Sequence, residues 1–245
     1  MRKIYKILRF LKVICIRLYN TVSTPKSRKN FSLLYNSNSQ AGQESFALLN
    51  STQCGQKYYL EIGAGDPIKV SNTYLLESQF NWKGLSIDFN QKHYNNFKQK
   101  RKNSLLVADS TSLNYKSLLL ENNFPQVIAY LQIDVYYSKD AYKTLCAIPF
   151  PFYKFCSITY ETDVYKGEDS RYTQLARSLL SSHGYVLLCK NVMIDNLKFE
   201  DWWVHPKFSN LEVLSNFGSK NLNGLAHFSR KSQIAALKNY FRDNL

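Results

Sequence analysis

The chain has 245 residues, 44% of them hydrophobic, and a formal net charge of +14. This length and composition allow one large α/β domain with a full core, and they exclude a disordered protein and a small disulfide-stapled scaffold. Nine basic residues precede the first acidic residue, Glu44, so the excess charge lies mainly in an N-terminal tail and the remainder is only mildly basic.

The first predicted element is a basic amphipathic helix over residues 3–19, and residues 1–20 are assigned to it as a unit. One face is aliphatic, and the other carries Arg2, Lys3, Lys6, Arg9, Lys12 and Arg17. Such a helix suits the surface of an anionic membrane, but it also suits docking on its own domain or on a partner. The sequence contains no run of about 18 uncharged apolar residues, which argues against a spanning helix. We predict a cytoplasmic protein, peripheral on the inner face of a membrane if this helix binds lipid.

The five cysteines are odd in number and widely spaced, and no pair has the spacing of zinc ligands. A disulfide framework is not expected in a chain of this size. We therefore predict reduced, mostly buried thiols.

Residues 21–57 are rich in Ser, Asn, Gln and Thr, which indicates a linker with a short helix near residues 44–49. From Tyr58 strand and helix patterns alternate, so residues 58–245 are assigned to one domain. Strands are predicted at 58–62, 84–89, 104–108, 128–134, 155–161 and 185–190, and helices at about 71–80, 91–101, 113–121, 138–147 and 170–183. Alternating units of this kind predict a Rossmann-like, doubly wound, mostly parallel sheet with its site at the carboxyl ends of the strands.

The first predicted strand runs into a glycine turn, Glu61-Ile62-Gly63-Ala64-Gly65-Asp66. Gly63 and Gly65 suit a tight turn of positive φ where a nucleotide-like ligand lies against the backbone. Taken alone, the two glycines also fit an ordinary strand-to-helix turn.

Acidic residues mark the ends of five successive predicted strands. They are Glu61, Asp88, Asp109, Asp134 and Glu161. One acid alone is explained by helix capping or solvation, but five on the same edge of a sheet indicate a ligand site. A carboxylate at the position of Asp88 can accept hydrogen bonds from both hydroxyls of a ribose.

This order of motifs resembles the class I S-adenosylmethionine-dependent methyltransferases, and more closely their FkbM-type family. The resemblance runs from about Tyr58 to Pro206. Beyond the glycine turn it rests on Ser71-Asn72-Thr73-Tyr74-Leu75-Leu76-Glu77, Trp82-Lys83-Gly84-Leu85-Ser86-Ile87-Asp88, Tyr130-Leu131-Gln132-Ile133-Asp134, Ile158-Thr159-Tyr160-Glu161, Gly184-Tyr185-Val186-Leu187 and the segment from Phe199 to Pro206. It implies methyl transfer from S-adenosylmethionine to a hydroxyl of a glycan or small metabolite.

The resemblance also implies roles for individual residues. Glu61, Gly63 and Gly65 would surround the methionine and ribose parts of the cofactor, Asp88 would bind the ribose hydroxyls, Asp109 the adenine, and Asn72 would reach the cofactor or cap the following helix. Asp134 would lie near the transferred methyl group. Because the donor is already a sulfonium, the protein mainly aligns the acceptor and removes its proton.

The chain departs from the family pattern in three places. Pro67 replaces a third glycine, Tyr136 and Tyr137 follow Asp134, and Glu161-Thr162-Asp163 stands where the family has Glu-His. Either Asp134, Glu161 and Asp163 bind Mg²⁺, which would acidify the acceptor hydroxyl, or the acceptor site has decayed.

Two histidines remain as candidates for a general base. His205 follows a Trp-Trp-Val segment that could cover the site, and His183 precedes Gly184 where capping of a helix end explains it. Tyrosines near the strand ends could stack on sugar faces or simply pack in the core.

Three functions compete. The first is O-methylation of a glycan or small molecule, with lipid-linked saccharides as candidate acceptors if the tail binds a membrane. The second is nucleic-acid methylation, which the basic net charge favours, and Asp134-Val135-Tyr136-Tyr137 superficially resembles the Asp-Pro-Pro-Tyr motif of adenine N6-methyltransferases. Both prolines of that motif are missing, however, and the charge lies mainly in a tail whose apolar face suits a bilayer better than a duplex. The third is a degenerate, non-catalytic binding protein on the same fold.

Overall fold

The computed structural model describes residues 37–51, 54–162, 164, 170–194 and 197–209. The predicted N-terminal helix within residues 1–20 and the predicted site residue Asp163 lie outside these ranges. None of the helices within them is both long and apolar enough to cross a bilayer.

A single seven-stranded sheet forms the centre of the described chain. Its strands are β1 (Tyr58–Ile62), β2 (Lys83–Asp88), β3 (Ser104–Val107), β4 (Val127–Ile133), β5 (Lys154–Glu161), β6 (Val186–Ile194) and β7 (Leu197–Val204). They lie in the order β3-β2-β1-β4-β5-β7-β6. Neighbours among β1 to β5 pair in parallel, whereas β7 is antiparallel to both β5 and β6. The predicted doubly wound, mostly parallel sheet of the class I methyltransferase type is therefore confirmed.

The order of the strands reverses between β1 and β4. The chain winds outward from β1 to β2 and β3 on one side, and from β4 to β5 on the other. In doubly wound sheets this switch point opens a crevice at the carboxyl ends of the two central strands. The topology thus locates the candidate site after Ile62 and Ile133.

Six α-helices lie around the sheet in the described part of the chain. They are α1 (Gln43–Asn50), α2 (Tyr74–Phe80), α3 (Tyr94–Lys100), α4 (Tyr115–Glu121), α5 (Ser138–Ala147) and α6 (Ser170–Ser182). Short 3₁₀ helices occupy Gln91–His93, Ser110–Ser112 and Pro206–Phe208.

Alternation along the strands separates two cores. Leu60 and Ile62 of β1 join an apolar core that includes Leu119 of α4, Leu145 of α5 and Leu180 of α6. Tyr59 points to the other face, where α1 and α2 supply the cover and several buried side chains are polar. The α1 helix, predicted near residues 44–49, packs there through Phe46 and Leu49.

The strand β7 was not predicted from the sequence. Its segment Leu197–Val204 contains two adjacent acids, which obscure the apolar pattern of a buried strand, and both acids are buried. Trp202 and Trp203 are at most 1% exposed within the sheet. The interpretation of this segment as a cover over the site is therefore wrong, because its indoles pack in the two cores.

The prediction that all cysteines are reduced is also wrong. Cys54, in the segment after α1, forms a disulfide with Cys156 of β5. The two are 102 residues apart in sequence, so only the fold brings them together. Cys189 is a buried free thiol, as predicted, while Cys146 is free and exposed.

Candidate functional site

The glycine turn at the end of β1 is held by β2. The N–H groups of Gly63 and Ala64 both donate to the carbonyl oxygen of Ile87, at 2.8 and 3.1 Å. Gly63 has φ +84° and Gly65 has φ +60°, values that favour glycine. A Cβ atom placed on Gly65 would meet no atom within 4 Å in the described structure. The turn is thus open beside Gly65, as a cradle for a ligand must be.

Asp88 lies at the end of β2, directly beside the turn. One carboxylate oxygen accepts from the N–H of Gly65 and the other from the N–H of Asn90, each at 2.7 Å. The side chain is half-buried, and each oxygen keeps a further lone pair. The structure therefore brings Gly63, Gly65 and Asp88 together, with a carboxylate fixed at the open side of the turn.

Glu61 lies beneath the turn rather than on its open side. It is 1% exposed and accepts a hydrogen bond from the Ser86 hydroxyl at 2.5 Å. Burial raises the pKa of this carboxyl, although the charge of Arg101 opposes the shift. Glu61 lies one residue before the end of β1, and its side chain points to a face of the sheet and not to the carboxyl edge.

Arg101, which the sequence analysis did not single out, holds the connection after the turn. Its guanidinium donates to Glu77 and Thr73 at 2.8 Å, to Tyr59 at 2.9 Å, to the carbonyl of Pro67 at 3.0 Å and to Ser71 at 3.3 Å. Burial opposes the charge of Arg101, but the surrounding phenol and carboxylates raise its pKa above the ordinary value. A lone arginine within a run of lysines gives no sequence signal of this role.

Two buried carbonyl oxygens near this region have no hydrogen-bond donor among the described residues. They are Oδ1 of Asn72, in the connection held by Arg101, and Oε1 of Gln132, which pairs with Glu61 across β1 and β4. Both side chains are at most 5% exposed. Buried acceptors of this kind are rarely left unsatisfied, so they suit a ligand that brings N–H donors.

Asp109 lies at the same edge of the sheet, after β3. The N–H of Ala108 donates to the carbonyl of Asp88 at 3.0 Å, which ties the two strand ends together. The Asp109 carboxylate accepts from the N–H and the hydroxyl of Thr111, both at 2.8 Å, and these bonds lower its pKa. Asp109 is exposed, so it caps the following 3₁₀ helix and still faces solvent.

Asp134 joins the end of β4 to the glycine turn. Its N–H donates to the carbonyl of Ile62 at 2.9 Å, and its own carbonyl lies against the α-carbon of Gly63. Its side chain is half-buried. Tyr136 and Tyr137 follow, 67% and 57% exposed, with ring centroids 4.7 Å apart in an edge-on pair.

Only two of the three predicted magnesium ligands, Asp134 and Glu161, are described, so this site stays a prediction. Glu161 ends β5 but is buried opposite Glu200 of β7, and Asp163 lies outside the described ranges. No group of three His, Cys, Asp or Glu side chains in the described part of the chain could hold a metal ion.

The two histidines predicted as bases lie away from these acids. The N–H of His205 donates to the carbonyl of Cys156, near the start of β5, at 3.1 Å. Five residues of strand separate Cys156 from Glu161, a distance of roughly 16 Å. His183 stacks on Phe150, in the segment that precedes β5, at 4.8 Å. The prediction of His205 at the reacting edge is therefore not met, because β7 returns antiparallel and carries it to the opposite edge.

Buried carboxyls near the carboxyl edge make the stability dependent on pH. Burial raises the pKa of Glu44 to about 7 and that of Glu200 to about 8, from an ordinary 4.5. The folded state thus binds more protons than the unfolded state.

We expect the free energy of unfolding to fall as the pH rises from 5 to 8, because both carboxyls must ionise while buried. Each contributes a slope of at most about 1.4 kcal/mol per pH unit. Glu200→Gln, which mimics the neutral acid, should flatten the decline in urea unfolding measured across this range. An unchanged slope in that variant would contradict the assignment.

The chain matches no protein-family model and no curated protein sequence. Among solved structures it is similar to a putative rRNA methylase from Clostridium thermocellum, with a TM-score of 0.44 and 10% identity over 69% of this chain and 96% of that one. It is also similar to M. jannaschii TYW2 in complex with AdoMet, with a TM-score of 0.39 and 14% identity over 69% and 77%. Entamoeba histolytica EhMeth gives 0.41 and 17% over 71% and 57%. At these identities and TM-scores the likeness carries no weight for function.

Proposed function

We propose that this chain is an S-adenosylmethionine-dependent methyltransferase. The observation that carries the proposal is the open glycine turn whose Gly65 N–H and Asp88 carboxylate are joined at 2.7 Å, at the switch point of a doubly wound sheet. A glycine turn and a carboxylate in this arrangement suit the binding of a ligand that contains a nucleoside. The FkbM-type resemblance implies that this ligand is S-adenosylmethionine, an adenosyl sulfonium.

The described residues suit the parts of this cofactor. Asp88 would accept from the ribose hydroxyls with its remaining lone pairs, and Asp109 would accept from the adenine amino group. The unsatisfied oxygens of Asn72 and Gln132 would take the N–H donors of the methionine ammonium group. When bound, the cofactor supplies an activated methyl group on its sulfonium.

The acceptor we propose is a hydroxyl of a sugar, glycan or small metabolite. Asp134 ends the strand next to the turn, so its carboxylate is the best-placed group to hold the hydroxyl and take its proton. His205 is left out because it lies at the opposite edge, and Mg²⁺ is left out because only Asp134 and Glu161 of its predicted ligands are described, with Glu161 buried against β7.

Nucleic-acid methylation is the second candidate. It gains support from the exposed lysines beside the crevice. The formal net charge of the sequence understates how cationic the surface is. Peripheral attachment to an anionic membrane through residues 1–20, and a cytoplasmic location, remain proposals from the sequence alone.

Asp88→Ala should weaken binding of S-adenosylmethionine by about 1.5–3 kcal/mol, because it removes charge-assisted hydrogen bonds to the ribose. Calorimetry with S-adenosylmethionine and S-adenosylhomocysteine measures the change. Asp140→Ala is the matched control and should bind nearly as the unmodified chain does, because this partly exposed acid on α5 forms an ion pair with Lys143 at 3.6 Å and is not one of the proposed cofactor ligands.

Equal affinities in the Asp88 and Asp140 variants would remove Asp88 from the site. If the unmodified chain binds neither ligand, the proposed function fails. Tight binding without turnover on any acceptor pool would favour the degenerate, non-catalytic alternative.

A further inference from the structure

The acids and the bases of the described chain are distributed differently between core and surface. Six of the acidic side chains are buried, namely Glu44, Glu61, Glu77, Glu161, Glu200 and Asp201. Two internal arginines pair with members of this set: Arg101 with Glu77, and Arg177 with Asp201. The surface is therefore more cationic than the formal charge suggests, because most lysines are exposed while half of the described acids are not.

The cations concentrate around α3. We call this the α3 surface, and it consists of Lys69, Lys92, Lys98, Lys100 and Lys102, all exposed. No acidic residue occurs from residue 89 to residue 108. The acid Asp66 lies nearby: burial opposes its charge, but hydrogen bonds from the Lys69 and Ile68 N–H groups and the charges of Lys100 and Lys69 lower its pKa. Lys69 and Lys100 thus act on the same carboxylate and face one region.

The α3 surface continues from the edge of the crevice. Asp88 ends β2, and Phe89 directly after it is 77% exposed. The 3₁₀ helix Gln91–His93 and then α3 follow without a break. Across the switch point, Tyr136 and Tyr137 present two further exposed rings after β4. Phe89 thus joins the lysine segment directly, while Tyr136 and Tyr137 lie at the same carboxyl edge of the sheet, two strands away.

We propose that the α3 surface and this aromatic edge bind single-stranded nucleic acid. Five exposed lysines beside the single acid Asp66 attract a chain of phosphates, and exposed rings stack on unpaired bases of any sequence. A membrane surface would instead favour aliphatic side chains among the cations, whereas the exposed side chains of α3 besides its lysines are Tyr94, Asn95, Asn96 and Gln99. Binding here does not depend on the cofactor. The step from binding to a nucleotide acceptor rests on the proposed function.

Fluorescence anisotropy on the full chain tests the site, with labelled 20-nucleotide RNA and DNA single strands of one sequence as probes. The triple variant Lys92→Gln, Lys98→Gln and Lys100→Gln should lose at least about tenfold in affinity at 100 mM NaCl. The slope of log affinity against log salt should fall by about 2, since each phosphate contact on a single strand contributes about 0.7. Lys116→Gln with Lys190→Gln and Lys198→Gln, exposed cations on α4, β6 and β7, is the control of equal charge, since β6 and β7 lie at the edge of the sheet opposite β3, and it should change less than about twofold.

A second variant separates stacking from charge. Tyr136→Ala with Tyr137→Ala should weaken binding at least about fivefold without changing the salt slope, because it removes rings and no cation. Phe152→Ala, which removes a ring that is 54% exposed on α4's side of the molecule, near Lys116, is its control. Tighter binding of RNA than DNA would assign a role to the 2′-hydroxyl, and equal binding would assign the affinity to phosphates and bases; both support the site.

Equal losses in the two lysine triples would overturn the proposal, since the affinity would then follow net charge alone. So would α3-dependent binding to phosphatidylcholine–phosphatidylserine vesicles with unchanged binding of both nucleic acids. A chain that binds no S-adenosylmethionine but keeps α3-dependent binding of the strands would defeat the proposed function and leave this inference standing.

Discussion

Gly63→Ala should destabilise the protein by about 4 kcal/mol or more, because an added methyl group would break a close approach of two backbones, and losses of this size are exceptional for single substitutions. A Cβ atom on Gly63 would lie 1.7 Å from the carbonyl oxygen of Asp134. This clash could be relieved only if β1 and β4 moved apart. The residue also has φ +84°, a conformation that costs alanine about 1–2 kcal/mol. Urea unfolding monitored by circular dichroism measures the total.

Two other glycines separate the contributions. Gly184 has φ +83°, and a methyl group added there would have no described atom within 4 Å, so Gly184→Ala should lose only the conformational part. Gly65→Ala should likewise cost about 1–2 kcal/mol in stability, yet it should weaken S-adenosylmethionine binding because the methyl group fills the open side of the turn. If Gly63→Ala were no worse than Gly184→Ala, the junction between β1 and β4 would be wrong.

The strands around the junction of β1 and β4 show why so much of the fold was predictable. The strands β1, β2, β4 and β5 are buried on both faces, so each reads as an apolar run, and the predicted bounds of these strands and of the edge strand β3 agree with the structure to within one residue. Gly63 marks a place where a side chain would prevent β1 and β4 from meeting. Local sequence alone is enough for these features, because strand length, turn and helix start are all set within a few neighbouring residues.

Features set by distant residues were not predictable in the same way. The strand β7 carries Glu200 and Asp201 inside the sheet, and nothing near Asp201 in sequence shows that Arg177 supplies its partner. The strand returns His205 to the amino edge, which removed the base predicted from the sequence. The disulfide of Cys54 with Cys156 likewise depends on α1 packing against β5.

The acids at the strand ends also divide into positions that the sequence predicted and positions that it did not. Asp88, Asp109 and Asp134 lie at the carboxyl edge of the sheet, as predicted. Glu61 and Glu161 are the exceptions, since both are buried: Glu61 lies one residue before the end of β1, and Glu161 ends β5 opposite Glu200 of β7. Whether an acid faces the crevice or the core is decided by one residue of register, which the sequence leaves open.

Arg101→Met should lower the free energy of unfolding by about 3–5 kcal/mol, the loss typical when one partner of a buried ion pair is removed. The guanidinium satisfies five groups at once, and its removal leaves the Glu77 carboxylate, 4% exposed, without its cation. Thermal and urea unfolding measure the effect. Lys102→Met is the matched control: it removes an adjacent exposed cation and should change stability by no more than about 0.5 kcal/mol.

Two further variants identify the cause. Arg101→Lys keeps the charge but has three donors on a single nitrogen, so it cannot reach Glu77, Tyr59 and the Pro67 carbonyl together, and most of the loss should remain. Arg101→Met combined with Glu77→Gln should recover part of the stability, because no unpaired charge is then buried. Since Arg101 also holds the Pro67 carbonyl and Ser71 beside the glycine turn, S-adenosylmethionine should bind more weakly to folded Arg101→Lys than to Lys102→Met. Equal stability of Arg101→Met and Lys102→Met would mean that the buried polar groups that Arg101 contacts do not depend on this arginine.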